Sequence, residues 1–281
     1  MKKILLPTDF SKNSLSAINY AMQLLKDVEC EFYFLNIQKA SSFVSDDLMT
    51  MSSSTTIYQT LIDTAKKSIN NVINTVESHY NNDKHTFHST VDYDNFIDAI
   101  NQMCELKDID LIIMGTKGAT GAERVIFGSN TVRVMQRCGV PVLAIPNGCE
   151  FNGMQKLAFT TDYLSHYNED DLAILLGFVK QFNSKLDILH VKNAETLSQE
   201  KENVRAYLDE LFTTISHEFV ELNQDDIFKV VQDYIYNNQI NMLAMTSKKH
   251  SFLERLFSRH NVEIFGFKID VPFLVMEDTS S

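Results

Sequence analysis

Residues 2–9 read KKILLPTD and residues 155–162 read QKLAFTTD. Each is a short apolar run ending in Thr-Asp, and Thr8-Asp9 recurs 153 positions later as Thr161-Asp162. Self-similarity at a long, fixed offset marks a repeated structural unit. The correspondence continues along the chain. DLIIM at 110–114 matches NMLAM at 241–245, and PVLAIP at 141–146 matches VPFLVM at 271–276. Leu35-Asn36-Ile37 returns as Leu189-His190-Val191 at an offset of 154. Glu123-Arg124 and Pro141 return as Glu254-Arg255 and Pro272 at an offset of 131. The second copy therefore lacks about 23 residues that the first carries after its second apolar run. The segment 39–56, rich in Ser, Thr and Met, accounts for most of them and reads as an inserted mobile loop.

Within each copy, short apolar runs alternate with helical periodicity. The first copy predicts strands near 3–7, 31–37, 86–91, 110–114 and 141–145. Its first helix carries Leu15, Ile18, Met22 and Leu25 at helical spacing, with Ser11 as N-cap. A longer helix is predicted over 57–80 and shorter ones over 94–106 and 129–138. The second copy repeats the pattern, with Leu172, Leu175, Leu176 and Val179 on one helix and Leu208, Leu211, Phe212 and Ile215 on the next. Strands apolar on both faces and separated by helices imply a parallel sheet covered on both sides. The fold class is thus α/β, as two tandem doubly wound five-stranded parallel-sheet domains over 1–149 and 150–281. The joint Pro146-Asn147-Gly148-Cys149-Glu150 is short, so the domains are expected to pack together.

With 281 residues, the chain suits two domains of this size. It is 44% hydrophobic and 22% charged, enough to build cores. Its net charge of −12 disfavours nucleic acid and anionic membranes as general partners. No run of about 18 apolar residues and no secretory leader is present, so a cytoplasmic location is expected. Cys30, Cys104, Cys138 and Cys149 form no CxxC pair and read as reduced thiols.

Ligands in open parallel sheets lie beyond the carboxyl ends of the strands. Two such ends stand out. One is Pro7-Thr8-Asp9. The other runs from Met114 through Gly115 and Gly118 to Gly128-Ser129-Asn130, with the spacing G-x2-G-x9-G-S. Glycines let backbone N–H groups approach a ligand without Cβ interference. Ser129 and Asn130 open a predicted helix, whose free N–H groups and dipole favour an anion. Either glycine alone reads as turn geometry; the whole set, with Asp9 opposite, reads as a di- or triphosphate site. The spacing is that of neither the G-x4-G-K-[ST] loop nor the G-x-G-x-x-G loop.

Pro7-Thr8-Asp9-Phe10-Ser11, the glycine segment and Val140-Pro141-Val142-Leu143 together resemble a universal stress protein domain, twice over. The resemblance implies an adenine nucleotide alpha hydrolase-like fold, and the glycine motif implies the ATP-binding branch. Thr8 and Asp9 would then contact the adenine and ribose region. Ile37 would line the adenine pocket beside the Met114 backbone, and Gly115, Gly118, Gly128, Ser129 and Asn130 would hold ribose and phosphates. ATP is the implied ligand, with AMP or ADP as alternatives and Mg²⁺ an optional companion through Asp9. Where the family often has His or Arg between the first two glycines, this chain has Thr116 and Lys117, the latter read as a solvated lysine or an added phosphate contact. The resemblance also implies pairing of the final strands within one chain, an intramolecular pseudo-twofold pair, with a homodimer of such pairs as the alternative.

The second copy breaks the motif. Thr246, Lys249, Arg259 and His260 stand where the first has Gly115, Gly118, Gly128 and Ser129. No ATP is expected there; Lys248, Lys249 and His250 read as a surface loop or a site for another anion or nucleoside, and 252–257 as core, interface or lid. No G-x-S-x-G nucleophile or H-E-x-x-H metal motif occurs. His79, His85 and His88 lie close in sequence, but two of them fall at i,i+3 in a strand, on opposite faces. Catalytic residues are therefore expected to be none, and metal ligands none. A nucleotide-binding stress or regulatory module, with an unidentified protein partner, leads over a slow ATP hydrolase or adenylyl transferase and over an interaction scaffold.

Overall fold

The computed structural model describes residues 1–38, 51–93, 95–116, 127–163, 167–192, 198–223, 227–247 and 270–277, with backbone alone at 51–58, 191–192 and 228. The first half runs β1 (Lys2–Pro7), α1 (Lys12–Leu24), β2 (Cys30–Ile37), α2 (Met51–Tyr80), β3 (His85–Asp92), α3 (Phe96–Lys107), β4 (Leu111–Gly115), α4 (Ser129–Arg137) and β5 (Val142–Ile145). The second runs β6 (Lys156–Thr160), α5 (Glu169–Phe182), β7 (Lys185–Lys192), α6 (Gln199–Leu211), β8 (His217–Asn223), α7 (Ile227–Asn237), β9 (Met242–Thr246) and β10 (Phe273–Met276).

Strands β4 and β9 are buried at all five positions, as continuous apolar runs in a doubly covered sheet should be. One face, with Ile4, Leu6, Phe32 and Phe34, packs under α1, α2, α5 and α6. The other, with Leu5, Leu35, Ile112 and Leu243, packs under α3, α4 and α7. Ser11 caps α1 as expected, its hydroxyl accepting from the Ser14 N–H.

All ten strands belong to one sheet, in the order β3-β2-β1-β4-β5-β10-β9-β6-β7-β8. The second half mirrors the first, and the registers reproduce the offsets read from the sequence. Ile4 aligns with Phe32 and Leu111; Leu157 aligns with Leu186 and Met242. The halves meet where β5 and β10 pair antiparallel: Leu143 opposes Leu274, flanked by Phe273 against Ala144 and Val275 against Val142. Leu143 and Leu274 are counterparts at the 131 offset, so a local twofold passes through this pair and the contact is isologous. Both leucines are fully buried, worth about 1.5–3 kcal/mol each. Phe151, between β5 and β6, adds a bridge, 5.4 Å from the Tyr20 ring and 5.7 Å from the Phe182 ring. Gln181 Nε2 donates across the halves to the Leu24 carbonyl at 3.1 Å.

Two sequence expectations need correction. The composition of 39–56 predicts a loop as far as residue 56, but α2 spans Met51–Tyr80; residues 39–50 lie outside the described residues. Ser and Thr are indifferent helix formers, and here the helix extends into them from the stripe anchored by buried Ala65, Ile69 and Val76. The α2 helix has 30 residues against 13 in α6, so most of the length difference is helical. Ile215, placed on a helix by its spacing, lies beyond the end of α6. The four cysteines are free thiols. Burial pushes Cys104 up to about 12 and Cys138 up to about 11, which keeps both protonated and unreactive.

Candidate functional site

In the first half, the strand order reverses between β1 and β4, the crevice where open α/β sheets take ligands. From the β1 side comes Pro7-Thr8-Asp9-Phe10-Ser11. Thr8 is buried, and its hydroxyl lies 3.0 Å from Ser14 Oγ and accepts the Phe10 N–H at 3.1 Å. These bonds hold Phe10 in the left-handed region, at φ 62°. Asp9 is exposed, and its Oδ1 accepts the Ser11 N–H at 3.1 Å. The local tie presents an oriented carboxylate at the rim of the crevice. Ile37, half-buried, closes the β2 end of the same rim.

From the β4 side come Met114, Gly115 and Thr116, all buried. The Thr116 N–H donates to the Ile145 carbonyl at 3.0 Å. Helix α4 is then clamped to this strand end. The Gly128 N–H donates to the Thr116 carbonyl at 2.6 Å, and Thr131 Oγ1 donates to the Gly115 carbonyl at 3.0 Å and is 3.3 Å from that of Thr116. Gly128 is the N-cap of α4 and supplies no side-chain cap, whereas Ser11, Asn95, Asn168 and Ser198 cap α1, α3, α5 and α6 with their side chains. Every helix leaves its first N–H groups without intrahelical partners. At α4 the exposed Ser129 and Asn130 sit at that end, with no acidic residue in the first turn. An anion placed there meets backbone donors and the positive end of the dipole.

Of the ten residues selected from the sequence, nine fall on these two adjoining strand ends, on β2 beside them or at the start of α4; Gly118 lies outside the described residues, as does Lys117. Gly115 has a role the sequence reading did not give it. A Cβ there would come within 2.5 Å of Asn13 Nδ2 and 3.0 Å of the Asn13 carbonyl oxygen. Its lack of a side chain lets α1 close onto β4, so its first duty is packing. Gly128 has φ −65° and ψ 154°, allowed to any residue, so conformation alone does not demand glycine there. Thr131 and Ser14 escaped the sequence reading; a hydroxyl in the first turn of a helix after a glycine segment was the available sign of Thr131. The three histidines do not converge: His79 packs on Tyr80, His85 Nε2 donates to the Leu25 carbonyl, and His88 pairs with Glu31. Among the described residues no group of three or more His, Cys, Asp or Glu could hold a metal ion.

The second half keeps the turn and changes its filling. The Tyr163 N–H donates to Thr161 Oγ1 at 3.1 Å, with Tyr163 at φ 56°, as at Phe10. Tyr167 replaces Ser14, its hydroxyl 2.9 Å from Thr161 Oγ1. The fully buried Tyr163 ring stacks on His190 with centroids 4.4 Å apart. Buried Thr246 occupies the counterpart of Gly115. Lys248, Lys249, His250, residues 252–257, Arg259 and His260 lie outside the described residues.

Residues 1–146 match the universal stress protein family. The chain belongs to the universal stress protein family. A universal stress protein of Methanocaldococcus jannaschii is 31% identical over 144 residues, which are 51% of this chain and 81% of that protein. A universal stress protein from Archaeoglobus fulgidus is similar in structure over 98% of both chains, with a TM-score of 0.70 at 16% identity. A putative universal stress protein from Pseudomonas aeruginosa aligns over 99% of this chain and 93% of its own, with a TM-score of 0.55 at 10% identity. The two structural likenesses concern the fold, and they extend through both halves of this universal stress protein. No helix among the described residues is long and apolar enough to cross a membrane.

Proposed function

We propose that the first half binds an adenine nucleotide, foremost ATP with AMP or ADP as alternatives, and that occupancy makes the chain a binding module in a stress or regulatory response. The observation that carries this reading is the start of α4: a glycine N-cap without a side-chain cap, clamped by Thr131 and Gly128 to the end of β4, at the crevice that Asp9 rims. In this reading Thr8, Asp9 and Ile37, with the Met114 backbone, hold base and ribose. The Gly115–Gly118 segment and Gly128, Ser129 and Asn130 hold the phosphates. A magnesium ion would ride on the phosphates, with Asp9 as the carboxylate at hand. The division at residues 149 and 150, a cytoplasmic location and a protein partner that reads the occupied state belong to the same proposal.

Among the described residues the crevice offers a single carboxylate with no adjacent base, a poor hydrolytic centre, so binding is preferred over turnover. The primary test is mass spectrometry of small molecules released from the purified chain, with thermal shift under ATP, ADP, AMP and adenosine. A released adenine nucleotide and a raised melting temperature support the reading. No shift with any of the four overturns it. Steady-state hydrolysis near 1 s⁻¹ or faster would make the chain an enzyme instead.

A further inference from the structure

One buried side chain in the floor of the site has a job still unassigned. Asn36, on β2, is 3% exposed. Its Nδ2 donates to the Thr8 carbonyl at 2.7 Å, and its Oδ1 accepts from Gln38 Nε2 at 2.6 Å. A carbonyl oxygen only accepts, so the amide nitrogen must face Thr8 and the amide oxygen must face Gln38. The relay therefore has a fixed direction, from Gln38 through Asn36 to Thr8. Gln38 is itself pinned, its backbone N–H donating to the Asp92 carbonyl at 2.8 Å. The Thr8 N–H already donates to the Leu35 carbonyl at 2.9 Å. Both polar backbone groups of Thr8 are thus tied to the β2 side. A planar trans peptide then directs the Asp9 N–H to the opposite side, toward β4.

The counterpart in the second half does something else. His190, also 3% exposed, places Nδ1 3.0 Å from Glu221 Oε2 and lies under the Tyr163 ring. The asparagine relay occurs in the half that carries the glycine segment. We propose that Asn36, oriented by Gln38, is a positioning residue for the nucleotide site, fixing the Thr8–Asp9 peptide so that the Asp9 carboxylate stands at the β1/β4 crevice. This rests on the nucleotide reading above and adds to it a residue that need not touch the ligand.

Gln38 offers the test, because it is half-exposed and its replacement leaves the buried amide in place. Gln38→Ala removes the donor. Gln38→Glu is nearly isosteric but accepts only, so it attracts Nδ2 and turns the Asn36 oxygen toward the Thr8 carbonyl. Calorimetric titration of the full chain with ATP and with uncharged adenosine, beside apo melting curves, reads the outcome. Gln38→Glu is expected to weaken both ligands about tenfold at a temperature where the apo protein is fully folded, with some fall in apo melting from the reversed amide, and Gln38→Ala is expected to weaken them by less with apo melting nearly unchanged. A loss seen with ATP alone is long-range charge repulsion and overturns the proposal. A fall in apo melting that accounts for the affinity loss makes the role structural and overturns it too. A wild type that binds while both variants bind equally well sinks this inference alone; a wild type that takes neither ligand sinks the nucleotide reading with it.

Discussion

At the end of β1 and at the end of β6 the backbone makes the same turn. Phe10 and Tyr163 have φ of 62° and 56°, and each N–H finds a threonine hydroxyl at 3.1 Å. At Thr8 the second hydroxyl partner is Ser14, small and local; at Thr161 it is Tyr167, and the Tyr163 ring is stacked down on His190. At the next strand end Gly115 faces Asn13, while its counterpart Thr246 carries a side chain. The turn therefore belongs to the fold and not to the ligand. Under the nucleotide proposal, ligand competence would depend on the few residues that vary upon a shared backbone.

The largest effect should come from the two glycines, which separate packing from binding. Gly128→Val is expected to cut ATP affinity more than 100-fold, while the apo protein loses only about 1 kcal/mol for the poorer N-cap, since the backbone angles there suit any residue. Gly115→Val should instead destabilise the apo protein, by about 1–3 kcal/mol, because its Cβ meets the Asn13 backbone. Calorimetric titration and thermal melting of both variants check this. A Gly128→Val protein that binds ATP normally would remove α4 from the site.

The aspartates come next. Asp9→Ala should weaken nucleotide binding by about 1–3 kcal/mol, and Asp162→Ala should leave it unchanged. Equal losses in the two variants would mean that both halves take ligand.

A smaller, pH-dependent difference sits on β3. His85, against the Leu25 carbonyl, has its pKa lowered from the ordinary 6.5, chiefly by burial. The unfolded chain therefore binds this proton more readily than the folded one. Stability from the neutral ring is complete above about pH 6.5 and declines as pH falls from there toward the lowered value. Ile215 occupies the aligned position before β8, so His85→Ile should flatten the melting-temperature slope between pH 6.5 and 5. An unchanged slope would place the acid sensitivity elsewhere.

The smallest effect concerns the second half. The Tyr163 hydroxyl is buried without a hydrogen-bond partner among the described residues, and burial pushes its pKa well up. Tyr163→Phe should leave stability unchanged or raise it by up to about 1 kcal/mol. A clear loss in thermal melting would show that the hydroxyl is satisfied in solution.

Much of this was legible in the amino acids alone. The 153, 154 and 131 offsets are the strand registers themselves, because insertions cannot enter a buried ladder without turning side chains to the wrong face. Ser11 announced its cap, while the pairing of the Pro141 and Pro272 strands came only from the family resemblance. What stayed hidden depends on approach between distant segments. Nothing near Gly115 in sequence says that Asn13 lies against it. Likewise Asn36 looks like an ordinary polar interruption of an apolar strand until the Thr8 carbonyl arrives. The start of α2 was missed for a different reason: Ser and Thr neither favour nor forbid a helix, so the outcome rests on residues one to four turns away.

The seam at Leu143 and Leu274 has a consequence for how such a molecule can diverge. In an assembly of two identical chains, each change in the gene strikes both partners at once, and a face that must match itself tolerates few changes. Once both partners are strung on one polypeptide, each mutates alone. One lobe is then free to carry threonine where the other has glycine and to bury a tyrosine over a histidine, while its sibling keeps a different filling and still leans on it for support.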